Sequence, residues 1–258
     1  WWRIEFSRFA GPPVEVVLRR DEAGSATKLI DKAGRMGLDV HECNKRELTR
    51  FLSDYTSANH ASIRFQSVAS RCGWFGDGFL WGNTWLSDVK GDEYPRELVI
   101  PSGDGRSQLA YGMRSAGDLA GWVQAVRGML PYPLALVGVY VALSSILVSR
   151  VDCLALVFEW ASSAGSGKTT CLKIASSAWG HPDDLLSGWD GTRVGLERRA
   201  SFLSCIPMFK DDTKTQDVAK NSVDPEWAIY RVVSGEGRER AMPGGGMQRT
   251  AKWALNLM

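Results

Sequence analysis

A chain of 258 residues, 44% of them hydrophobic and with a net charge of +2, has the material for two modest domains with real cores. That charge neither demands nor excludes nucleic acid as a partner, so any basic surface has to be local. Five cysteines without a C-x-x-C pair, beside only three histidines, argue against a zinc site and a disulfide framework and for a reducing, cytoplasmic compartment.

The chain opens on two short β-type runs, 3–6 and 14–18, turning through Gly11-Pro12-Pro13. Two helices follow by apolar spacing, one over 26–36 and one capped by Asn44 and running through Leu48, Leu52 and Tyr55. Residues 62–68 alternate like a strand, and 71–82 form a series of glycines and aromatics that reads as hairpins. Tryptophans among glycines can stack nucleobases, but packing of a small sheet is the commoner use and the one expected here. Residues 102–107 make a polar connection, after which Ser115-x-x-Asp118 resembles a capping box before a helix through Leu119, Trp122, Val123, Val126 and Leu130. Pro131 and Pro133 end that helix.

Residues 134–148 are apolar but contain Gly138, Ser144 and Ser145 and fall short of the ~20 residues of a bilayer span, so a buried helix is expected and no membrane partner. No signal peptide is visible behind Trp1-Trp2-Arg3, and an opening tryptophan together with a strand-like run at 253–258 that stops midway suggests a piece of a longer protein. Cys153 and Cys205 lie in apolar runs and read as core residues.

The densest signal is Ser163-Ala164-Gly165-Ser166-Gly167-Lys168-Thr169-Thr170. It lies between the apolar run 153–158, which reads as a strand buried on both faces, and a helix-like segment over 169–179. A phosphate chain needs many donors and no carboxylates nearby. Glycines let peptide N–H groups come close, and the helix start adds partial positive charge. Lys168 then reaches the β- and γ-phosphates, and the Thr169 hydroxyl ligates Mg²⁺. The Walker A pattern has a further glycine five residues before Gly167, where this chain has Ser162.

Hydrolysis also needs a metal carboxylate and a group that polarises water. Ile206-Pro207-Met208-Phe209-Lys210-Asp211-Asp212 is an apolar strand delivering two acids at its C-terminal edge, where parallel α/β sheets keep their ligand chemistry. Asp211 is assigned to Mg²⁺ and Asp212 to the attacking water, as in a Walker B motif. Lys210 either pairs with Asp211 or points to the other side of the sheet.

In order, Gly-Ser-Gly-Lys-Thr-Thr, Trp179-Gly180, Trp189-Asp190-Gly191-Thr192 with Gly195-Leu196-Glu197, and Pro207-x-x-x-Asp211-Asp212 resemble a helicase-type family of phages and integrative elements, Domain of Unknown Function 927, with Gly73-Trp74 matching its N-terminal hairpin. Where that family carries Leu-Asp-Glu, this chain has Lys210-Asp211-Asp212. The family is itself similar to superfamily III helicases. The resemblance implies an α/β fold, a P-loop NTPase parallel sheet with helices on both faces, preceded by a smaller α+β domain. Residues 1–114 would form that domain, 115–150 a helical connector, and 151–258 the NTPase core.

The same resemblance implies ATP and Mg²⁺ as cofactors, single-stranded or forked DNA as partner, a homo-oligomeric ring, and a primase domain or partner. It matches Gly235-Glu236-Gly237-Arg238-Glu239-Arg240 to a family segment and, with Arg249 and Lys252 across Gly244-Gly245-Gly246, implies a basic hairpin on DNA phosphates, a solvated face being the alternative. The polar γ-phosphate sensor and arginine finger are expected beyond Met258 or on a neighbouring subunit, so Asn256 is not assigned as the sensor. Two other readings stay open: a P-loop phosphotransferase, with Arg193, Arg198 and Arg199 as part of a lid, and a non-catalytic nucleotide-binding scaffold.

Overall fold

The computed structural model describes residues 1–7, 11–63, 68–88, 105–151, 153–211, 223–239, 241 and 246–258. These fall into two compact units, Trp1–Val68 with Val99–Ser107, and Ala69–Leu98 with Gln108–Met258. The division differs from the boundary expected near residue 115, because the Gly-Trp series belongs to the second unit.

In the first unit, β1 (Trp2–Phe6) and β2 (Val14–Leu18) pair antiparallel with Ile4 opposite Val16. Period-two alternation turns Trp2, Ile4 and Phe6 toward the core while Arg3 reaches Glu15 at 3.1 Å on the other face. Three helices follow: α1 (Arg20–Ala23), α2 (Ala26–Ala33) and α3 (Lys45–Ala58). Leu29 and Ala33 of α2 pack on Val16 and Leu18, with Leu48 and Leu52 of α3 closing the cluster. The helix expected to Met36 ends in a 3₁₀ turn, stopped by Gly37 at φ 92°. Asn44 does stand at the N-cap of α3, yet its side chain accepts from His41 N and donates to the Asp39 carbonyl, so it fixes the preceding turn rather than the helix donors. Most of the strand expected over 62–68 lies outside the described residues.

The second unit begins with a meander of β3 (Gly73–Phe75), β4 (Gly78–Trp81) and β5 (Thr84–Leu86). Two of its tryptophans are satisfied by backbone: Trp74 Nε1 donates to the Ile146 carbonyl at 2.9 Å and Trp81 Nε1 to that of Trp179 at 2.8 Å. Next come α4 (Arg106–Gly112), α5 (Leu119–Arg127) and α6 (Pro133–Ser144). Asp118, not Ser115, caps α5, accepting from Gly121 N at 2.8 Å. Helix α6 is apolar all round but buried on one face only: Ala135, Gly138, Val139 and Ala142 face inward, whereas Leu134, Val137, Tyr140 and Leu143 are exposed. The buried helix expected over 134–148 is thus covered on one face only.

The rest of the unit holds α7 (Lys168–Ser176), α8 (Pro182–Leu185), β6 (Leu186–Ser187), α9 (Arg193–Leu203), β7 (Phe209–Lys210) and α10 (Pro225–Val233). β6 and β7 pair parallel, Leu186 with Phe209 and Ser187 with Lys210. Parallel bridges join Met208 to Leu257 and Leu257 to Val157. Four segments therefore lie side by side in the order 186–187, 208–210, 256–258 and 156–158, with Phe202, Phe209, Ile206, Met208, Leu255 and Leu257 fully buried around them.

The run 153–158 is not the doubly buried strand its composition suggests. Leu154 is 81% exposed and Leu156 51%, since the run is bridged on one side only, to Leu257, among the described residues. Cys153 is exposed for the same reason, whereas Cys205 is buried and its thiol is pushed up to about 11 by desolvation. Among the described residues no helix is long and apolar enough to cross a membrane.

Candidate functional site

The loop between Val157 and α7 is an exposed surface feature given its shape by two glycines. Gly165 (φ 78°) and Gly167 (φ 88°) take left-handed backbone conformations that other residues adopt at a cost. Gly167 is the N-cap of α7, whose first turn leaves peptide N–H groups without intrahelical partners and carries no acidic residue. The loop thus offers an anion donors and a favourable helix end. Lys168 folds back over it, its ammonium donating to the carbonyls of Ser162 and Ser163, each at 2.8 Å. Ser162 and Ser166 share a hydroxyl–hydroxyl hydrogen bond across the loop.

Asp211 follows β7 and is held in line by its own N–H, which donates to the Ser187 carbonyl at 3.0 Å. The Thr169 hydroxyl donates to Asp211 Oδ1 at 3.1 Å, although 42 positions separate the two residues in sequence. The intervening segment 256–258 spaces the two arms: Phe158 N donates to the Leu257 carbonyl and Met208 N to that of Asn256, both at 2.9 Å. A hydroxyl and a carboxylate in contact form a hard-oxygen pair suited to Mg²⁺, so the donor chemistry fits the expected ion. Asp212 and Arg240 lie outside the described residues.

Lys210 takes the second of the two options open to it. Its ammonium donates to the Gly188 carbonyl at 2.8 Å and stands 5.8 Å from the Trp189 ring centroid. Burial, reinforced by the nearby Arg199, pushes it down to about 8. Arg199 is itself pushed down to about 10 by burial and donates to the Leu185 carbonyl.

The composition signals pass over Lys173 and Asp183. They pair at 2.8 Å beside the site, the hydrogen bond raising the lysine and lowering the carboxyl, with Asp211 adding to the upward shift of Lys173. The spacing of Lys173, one helical turn past Thr169, was the available clue.

The basic residues expected on a hairpin separate into two groups. Bridges Glu236 to Lys252 and Ala241 to Met247 set two arms antiparallel, with Arg249 and Lys252 exposed on one of them. Arg238 instead turns to Trp227, 5.4 Å from the ring centroid, with its Nε 4.0 Å from Glu197 of α9. Arg231 reaches the same carboxylate at 3.7 Å, and Arg193 stands 4.8 Å from the Trp227 ring. Asn256, fully buried, accepts from Leu156 N at 2.9 Å and donates to the Val141 carbonyl at 2.9 Å and Ser144 Oγ at 3.0 Å, so it locks the central segment to α6.

Residues 4–253 match the family described as Domain of unknown function (DUF927). The match spans nearly the whole chain, and the chain belongs to that family. No curated protein matches it.

Proposed function

We propose that this chain is the motor module of a Mg²⁺-dependent, ATP-hydrolysing DNA helicase or translocase of a phage or other mobile element, built on a P-loop α/β fold and acting in the cytoplasm. The observation that carries the reading is the 3.1 Å contact between Thr169 and Asp211, which joins the phosphate-type loop to an acidic strand end. The four parallel segments add support, because the loop and the acid both emerge at their C-terminal edge.

In this reading the peptide N–H groups of 164–170 and the Lys168 ammonium bind the phosphates, and Thr169 with Asp211 holds the ion. Bound Mg²⁺ supplies neutralisation of the charge that builds on the phosphate oxygens. The chain's own contribution is positioning: a lysine, two left-handed glycines and a helix start fix the triphosphate for in-line attack by water, with Asp212 assigned to polarise that water. Arg249 and Lys252, exposed on one arm, supply the DNA contacts, within a ring of identical subunits accompanied by a primase domain or partner.

The phosphotransferase alternative draws little support from its candidate lid, since Arg199 is tied to Leu185 and Arg193 to Trp227. The test is ATP binding and turnover by the full-length protein with and without single-stranded DNA. Lys168→Ala is expected to abolish Mg-ATP binding, Asp211→Ala to remove the Mg²⁺-dependent part of it, and DNA to raise wild-type turnover. Turnover indifferent to DNA sinks the motor reading, and turnover unchanged in Lys168→Ala sinks the site.

A further inference from the structure

The phosphate-binding pattern begins on a glycine, and this chain has Ser162 instead. A glycine at that position supplies either a left-handed backbone or room. Neither is needed here: Ser204 is the only non-glycine with positive φ among the described residues, and Ser162 is exposed. What the serine adds is a hydroxyl, and it is used, because Ser162 Oγ bonds Ser166 Oγ on the far side of the loop.

The same residue works from its backbone as well. Its carbonyl and that of Ser163 accept two of the three ammonium hydrogens of Lys168, which leaves the third for a phosphate oxygen. Residues 161–166 are all exposed, so side-chain packing does little to hold the loop, while Gly165 and Gly167 widen its conformational choice. Internal hydrogen bonds are what restrict it.

We infer that Ser162 is a positioning residue of the phosphate loop: its hydroxyl, closed on Ser166, and its carbonyl, closed on Lys168, hold the loop in its ligand-ready shape before any ligand arrives. The inference rests on the nucleotide reading above. It makes the clasp a source of pre-organisation, so that breaking it weakens phosphate binding without unfolding anything.

The experiment titrates Mg-ATP and, separately, pyrophosphate into the wild-type chain and into Ser162→Ala, Ser166→Ala, the double variant and Ser162→Thr, with the thermal unfolding midpoint measured for each. Ser162→Ala and Ser166→Ala are each expected to weaken both ligands by roughly three- to ten-fold, the loss set by one hydrogen bond. The double variant is expected to lose no more than either single one, since the bond is shared. Ser162→Thr restores the hydroxyl and the affinity, and the midpoints stay together. Wild-type affinity in Ser162→Ala, or single losses that multiply in the double variant, overturns the clasp while leaving the nucleotide site standing. A wild-type chain that binds neither ligand removes the nucleotide reading and the clasp with it.

Discussion

Replacing Asn256 with alanine separates a structural lock from a nucleotide sensor. The amide makes three side-chain hydrogen bonds, to Leu156 N, Val141 O and Ser144 Oγ, from a fully buried position. At about 1 kcal/mol net for each bond, the loss comes to about 3 kcal/mol, a large part of the 5–15 kcal/mol that holds a typical domain. For a unit of this size the unfolding midpoint should fall by about 6–12 °C. Thermal unfolding measures that shift, and urea unfolding followed by tryptophan fluorescence measures the free-energy loss, with the slope against denaturant unchanged. In the same variant, kept below its midpoint, affinity for Mg-ATP should stay within about two-fold, because the side chain points into α6. A loss below about 1 kcal/mol refutes the lock. Intact stability with lost nucleotide response makes Asn256 a sensor after all.

Two further substitutions probe packing and charge. Gly180→Ala places a Cβ 2.2 Å from the Gly112 carbonyl oxygen, at a φ of 153°, where neither backbone can yield. It should cost about 3 kcal/mol or more and show as a lower unfolding midpoint and loss of soluble protein. Lys210 is charged in both states below about pH 8, so its full burial penalty is present there. Between about 8 and its ordinary 10.5 the folded chain gives up the proton first, the unfolded chain binds more protons, and stability rises with pH. The shift corresponds to at most about 3 kcal/mol, and to about half that after solvent screening. Lys210→Met should flatten that rise when unfolding free energies of the two proteins are compared from pH 7 to 10.5, and parallel curves would contradict the assignment.

The parts of the site written in local chemistry were legible from sequence. Gly165, Gly167, Lys168 and Thr169 announce a loop and a helix start, and Pro207 to Asp211 announces a strand ending in acid. The contact between Thr169 and Asp211 was an expectation of pattern alone, and its geometry required the interposed segment 256–258. What composition did not carry was which side of each element is covered. The run 153–158 and helix α6 have the residues of interior elements, yet each has a bare face, because coverage depends on neighbours distant in the chain. Ser115 and Asp118 compete for one cap, and the choice turned on which side chain reached Gly121 N. Arg238 looked like a free surface charge until α9 and α10 brought Glu197 and Trp227 to it.

The segment around Leu257 is a shim whose thickness cannot be altered without disturbing both sides of the gap between Thr169 and Asp211. Slipping it by a single position would swing the Asn256 amide away from α6 and present an apolar side chain in its place, while Val157 and Met208 each lost their partner. Only shifts by even numbers of residues preserve which side chains look toward the helix. Redesign of the gap between Thr169 and Asp211 is therefore best confined to the loop and to β7, with the parity of 254–258 left untouched.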